Sequence, residues 1–193
     1  MTRVILSCMI GNALEWYAFV IFGFFAPTIS LLFFPEENNT IGLIKTFGLF
    51  SVAFIARPLG AIILGHIGDQ TSRKKALLLS IFVMAIPTVL IGCLPTYYAI
   101  GAVASIFLAI LLIAQGFAIG GEFTGSMIFM IEHAPKHKQG LIGSLATFSC
   151  VVGVILGSIV SLLCTHFLTH NAMLSGGWRI PFLLTFVGAA LGV

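Results

Sequence analysis

The sequence predicts an all-α integral membrane protein of six apolar helices. Of its 193 residues, 59% are hydrophobic and only 8% charged, and mean hydropathy is +1.14; a soluble domain carries roughly a quarter charged residues. The apolar residues fall into runs near the length a bilayer requires, about 20 residues per helix. About five to seven such spans use up the chain and leave almost nothing for a soluble domain.

The first run, 4–34, follows Arg3 and could be mistaken for a secretory signal. Asn12 and Glu15 interrupt it, however, and hydrophobicity resumes through Phe34 without a convincing cleavage site, so it reads as a retained first helix. The second and third runs cover 46–64 and 76–94, the fourth 99–131, the fifth 141–164 and the sixth 178–193. The first and fourth exceed the bilayer and are expected to tilt, kink at Gly or Pro, or project beyond it. The sixth would reach only ~24 Å at 1.5 Å per residue and has no basic anchor, so the last helix reads as truncated.

Orientation follows from Lys and Arg, which favour the cytoplasmic side. Arg3, the Arg73-Lys74-Lys75 cluster, and Lys136 with Lys138 occupy alternate connections, and the other side has only Lys45 and Arg179 beside Glu36 and Glu37. This places the N-terminus of a multi-pass membrane protein in the cytoplasm.

The net charge of +3 is scattered between apolar runs, so no nucleic-acid-binding stripe forms. Cys8, Cys93, Cys150 and Cys164 lie in or beside apolar runs without metal-ligand spacing and read as small core residues. His66, His133 and His137 fall in connections. His166 and His170 have i, i+4 spacing but no further ligand. With no phosphate loop, nucleophile elbow or paired Cys-x-x-Cys, the sequence implies neither an enzyme nor a cofactor or metal.

Gly116 with Gly120, Gly121 with Gly125, Gly153 with Gly157, and Gly188 with Gly192 recur at a spacing that lets helix backbones approach closely in lipid. Glu15, Arg57 and Glu122 are the charges inside apolar runs, where each costs roughly 2.5 to 3.5 kcal/mol. Counted from the helix ends, Glu15 and Arg57 both lie ~12 Å deep and Glu122 ~15 Å deep, which makes Glu15 and Arg57 plausible partners. Two acids and one base leave an excess negative charge, so Glu122 is a candidate proton carrier; the alternative is an ion-paired lock between helices. Gln115, Glu122 and Ser126 share one helical face, and Asn12, Glu15 and Phe19 form a similar stripe. Such stripes face a cavity, here a solute path, or bond to another helix.

Five motifs in order then point to a family. Gly11-Asn12-Ala13-Leu14-Glu15-Trp16-Tyr17 and Arg57-Pro58-Leu59-Gly60 resemble the metabolite:proton symporters of the major facilitator superfamily. Gly65-His66-Ile67-Gly68-Asp69-Gln70-Thr71-Ser72-Arg73-Lys74-Lys75 is similar to the superfamily's signature loop between helices two and three. Gln115-Gly116-Phe117-Ala118-Ile119-Gly120-Gly121-Glu122 and Trp178-Arg179-Ile180-Pro181-Phe182 complete the set, and Gly121-Glu122-Phe123-Thr124-Gly125-Ser126 looks most like the proline/glycine-betaine osmoprotectant branch.

The resemblance implies the N-terminal six-helix bundle of a twelve-helix transporter whose halves rock around a central site. Its partners would be the bilayer, a proton, a small zwitterionic or carboxylate solute, and the missing C-terminal half or another membrane subunit. It also implies a cytoplasmic gate latch involving Gly65, Asp69 and Arg73, with Glu132 matching the pattern after helix four. Ala18 stands where the family usually has Asp, Leu112 where it has Arg or Lys, Ser72 where Gly is usual and Gln139 where Arg is usual. A reading of a different class is an inactive remnant or a membrane interaction subunit without transport activity.

Overall fold

The computed structural model describes residues 2–36 and 38–192, without the side chains of residues 2–4, 73, 74, 191 and 192. Arg3, Glu37, Arg73 and Lys74, used above for orientation and the gate, therefore lie outside the described side chains.

Helix α1 (Thr2–Phe33) is followed by α2 (Asn39–Gln70) and α3 (Arg73–Cys93), then a four-residue turn of helix, α4 (Tyr97–Ile100). Next come α5 (Ala102–Glu132), α6 (Gln139–Phe167), the short α7 (His170–Ala172), a π-turn over Met173–Gly177, and α8 (Arg179–Gly192). Five helices are long and apolar enough to cross a membrane, and Arg179–Ala190 is a shorter apolar helix.

Several expected boundaries shift for local reasons. The second run begins at Asn39 rather than residue 46, because the Asn38 side chain accepts from the Thr40 N–H and caps the helix before the apolar stretch starts. It also runs through Gly65 and Gly68 to Gln70, so the expected eleven-residue connection reduces to Thr71 and Ser72. At the start of the fourth run Gly101, at φ 65°, separates α4 from α5. Pro27, Pro58 and Pro87 lie within α1, α2 and α3; each removes one backbone donor.

The helices alternate in direction. Cys8 of α1, Leu77 of α3, Met130 of α5 and Ile142 of α6 cluster at one end. At the other end Ser105 of α5 donates to the Phe33 carbonyl, and Arg179 of α8 donates to the Leu94 carbonyl at 2.9 Å. The main seams are α2 on α5 and α1 on α6, with α3 between α5 and α8. Trp178 and Phe182 are buried against Phe33 and Phe25 of α1. The Tyr17 hydroxyl donates to the Pro181 carbonyl at 2.7 Å, tying α1 to α8. Ile55, Leu59 and Ile62 of α2 face outward, as a lipid solvent permits.

The glycine pairs mark the seams. A Cβ on Gly116 or Gly120 would strike the carbonyls of Ala53 or Arg57, and one on Gly60 would strike that of Phe117, so α2 and α5 meet backbone to backbone. Gly153 meets the Ala13 carbonyl and Gly157 meets Tyr17 and Val20, which joins α6 to α1 in the same way. Gly121 and Gly188 face the side chains of Leu64 and Leu14, and Gly125 has only an ordinary contact to Leu77.

Candidate functional site

Three groups of polar residues in the membrane-embedded region are candidates for the site. The first is an interhelix network. Ser126 of α5 donates to Asn12 Oδ1 at 2.9 Å, and Asn12 Nδ2 reaches Ser149 Oγ of α6 at 3.4 Å. Gln115 Nε2 donates to Thr88 Oγ1 of α3 at 2.8 Å. Asn12, Gln115 and Ser126, expected to line a cavity or bond between helices, are all buried and make helix-to-helix bonds. In lipid such bonds average about 0.6 kcal/mol. Asn12→Leu removes two such bonds and is expected to cost about 1 kcal/mol, because Ser126 and Ser149 each keep a bond to a carbonyl of their own helix; a slightly lower thermal midpoint in detergent checks this.

The second group is a cleft between α1, α2 and α5. Glu15, Trp16, Arg57, Pro58, Ala61, Ile119, Gly120, Phe123 and Thr124 line a cavity of about 350 Å³. Glu15 and Arg57 share this space, but among the described residues no ion pair joins them. The guanidinium instead lies 3.9 Å from the centre of the Phe54 ring and 5.7 Å from that of Phe19. Residue counting gives Glu15 and Arg57 matching depth, and they do share this cavity, but Phe54 lies three residues before Arg57 on α2, so the guanidinium stacks on a ring of its own helix rather than closing an ion pair. Glu15 Oε2 and Arg57 Nε are buried without a hydrogen-bond partner among the described residues.

The third group is Glu122 alone. It is 1% exposed, and neither carboxylate oxygen has a hydrogen-bond partner among the described residues. A buried charge without a partner is costly, so this residue is not explained as part of an ion-paired lock.

The residues that the resemblance assigns to a gate lie at the ends of α2, α3 and α5. Gly65 and Asp69 line a second cavity of about 400 Å³ with Gly68, Ser80, Gly121 and Thr124. Asp69 is exposed on the last turn of α2 and Glu132 is the exposed last residue of α5. Arg73 opens α3, and its side chain lies outside the described ones. Ala18 and Leu112, where the resembled family carries an acid and a base, are both buried in separate apolar clusters.

Ser149, Thr88, Phe54 and Trp16 were not singled out from the sequence as site residues. Ser149 did carry a signal, since Ser149, Gly153, Gly157 and Ser161 follow i, i+4 spacing and all are buried on one face of α6.

A family model described as sugar (and other) transporter matches residues 4–193. The chain is 38% identical over 191 residues to the glycine betaine/proline/ectoine/pipecolic acid transporter of Dickeya dadantii, covering 99% of this chain and 38% of that protein. It is 39% identical to the proline/betaine transporter of Escherichia coli K12, with the same coverage. It is also 39% identical to the shikimate transporter of that organism, over 96% of this chain and 42% of the relative. Among solved structures, the Escherichia coli xylose transporter in a partially occluded inward-open conformation superposes with a TM-score of 0.87 at 18% identity, covering 99% of this chain and 46% of the other. The chain thus spans about two-fifths of the length of the curated relatives it matches.

Proposed function

The chain belongs to the sugar (and other) transporter family, within the major facilitator superfamily, and from that membership we propose that it forms the N-terminal bundle of a proton-coupled symporter for a small zwitterionic solute of the proline or glycine betaine type. The observation that carries this reading is the Glu15–Arg57 cleft. An acid and a base face one cavity without an ion pair between them among the described residues. A zwitterion offers each its complement: a carboxylate for the guanidinium, which favours planar bidentate partners, and an ammonium for Glu15. Trp16 adds an aromatic face of the kind that attracts quaternary ammonium groups. The names of the proline/betaine relatives support the same solute class.

In this reading a second bundle closes the open side of the cleft, and the two halves rock around the solute. The basic connections keep the N-terminus in the cytoplasm, and Asp69, Arg73 and Glu132 belong to the cytoplasmic gate. Glu122 carries the proton, since protonation removes the uncompensated charge from an otherwise sealed position.

Arg57→Ala in the intact transporter is expected to raise KM for labelled proline or glycine betaine about 10- to 100-fold, the range for one lost charge-assisted contact. Arg57→Lys is expected to fall between, because an ammonium keeps the charge but loses the fork and the stacking on Phe54. An unchanged KM in Arg57→Ala would remove the cleft from the solute path.

A further inference from the structure

Gly11 lies one helical turn before Glu15 on α1 and faces the other acid. A Cβ at this position would strike Glu122 Oε1 and would lie 3.3 Å from both Cγ1 and Cδ1 of Ile81. Helices α1, α3 and α5 therefore converge here, and the Glu122 carboxylate occupies the volume that any other residue would fill. Gly60, Gly116, Gly120 and Gly153 differ in kind, since their missing side chains admit the backbone of a neighbouring helix. Gly11 admits a carboxylate that is 1% exposed and has no hydrogen-bond partner among the described residues.

We propose that Gly11 is a positioning residue that seats the Glu122 carboxyl beneath α1, so that movement of α1 away from α5 is what uncovers the acid. The seating is a claim about geometry; only its role in timing proton access rests on the transport reading above. Two physical features support the assignment. First, the atom that an added methyl would strike is the far end of the flexible Glu122 side chain, so the carboxylate is what gives way. Second, Ile81 closes the α3 side, so an added methyl group at Gly11 has no free direction to take. The carboxylate must leave its seat, or α1 must move as a body.

The test is a size-compensation cycle in the intact membrane protein. Its readouts are thermal midpoint and labelling of Glu122 by the hydrophobic reagent dicyclohexylcarbodiimide, followed by peptide mass spectrometry. Gly11→Ala is expected to raise labelling at Glu122 several-fold and to lower the midpoint modestly, because the displaced atoms are side-chain ends. Glu122→Asp is one methylene shorter and leaves room for the added methyl, so Gly11→Ala should cost little in that background. It should also cost little in Glu122→Ala, which keeps the test usable if the single variant does not fold. The proposal is overturned if Gly11→Ala lowers the midpoint equally in the wild-type, Glu122→Asp and Glu122→Ala backgrounds, or if Glu122 labelling is unchanged in a folded Gly11→Ala protein. Neither readout depends on uptake, so failure of the transport reading would show separately, as a compensating cycle in a protein that moves no solute.

Discussion

Glu122→Gln is expected to abolish proton entry coupled to solute uptake while leaving the bundle folded. The amide has nearly the shape of the carboxylate, and no hydrogen bond to the side-chain oxygens is lost among the described residues. The substitution removes the capacity to become charged in a site 1% exposed. A neutral buried amide costs about 1 to 3 kcal/mol when unpaired, less than an unpaired charge. The thermal midpoint should therefore hold or rise. Solute-induced alkalinisation of the medium, measured in weakly buffered vesicles or cells, should fall by about two orders of magnitude or more, as for loss of an acid–base group. This combination separates a functional acid from a structural one, because a residue kept for stability would lose both together. Undiminished alkalinisation in Glu122→Gln would transfer the proton to another group, with Glu15 the nearest candidate on the solute path.

Gly120→Val is expected to have the largest effect on folding. The absent side chain at Gly120 is where α5 meets the Arg57 carbonyl of α2, and Gly116 and Gly60 make matching contacts one turn to either side. Overpacking against side chains costs about 1 to 3 kcal/mol. Here the obstruction is backbone, so the two helices must separate along the whole seam and the cost should exceed that range. Arg57 and the cleft would move with α2. Size-exclusion profiles and thermal melts of detergent-solubilised protein should show loss of the monodisperse folded species. Gly125→Ala is the matched control: a Cβ there meets only Leu77 Cδ2 at 3.6 Å, and its melting profile should match the unmodified protein.

These two residues illustrate what was legible in the sequence. Hydropathy located the five described helices that are long and apolar enough to cross a membrane, because lipid imposes one length rule on all of them. It placed the ends poorly where helix and apolar run do not coincide, as in α2, which is capped by Asn38 and continues through Gly65 and Gly68. The glycine pairs were visible as seams, but spacing within one helix does not name the helix on the other side. Charge depth was also visible, since counting residues measures distance along a helix axis. Counting does not show which neighbour a side chain takes, and Arg57 stacks on Phe54, three residues earlier on its own helix, beside the cavity it shares with Glu15.

The partners Ser149 and Thr88 were obscured for a different reason. Each hydroxyl also bonds a carbonyl of its own helix, Ala146 at 2.6 Å and Met84 at 2.7 Å, so each fits an apolar run without marking itself as polar. Glu122 was conspicuous as an intramembrane acid, yet its seat against Gly11 required the crossing of α1 and α5 to be known. The family itself was legible because five motifs stand in order along nearly the whole chain, and the match over residues 4–193 agrees.

If the buried charges serve a solute path, proteoliposomes containing the intact transporter should take up labelled glycine betaine or proline, and an inward proton gradient should be needed for accumulation. Arg57→Ala should abolish that accumulation. Gradient-independent equilibration, or no uptake by protein verified as folded and inserted, would refute a proton-coupled solute path through these residues.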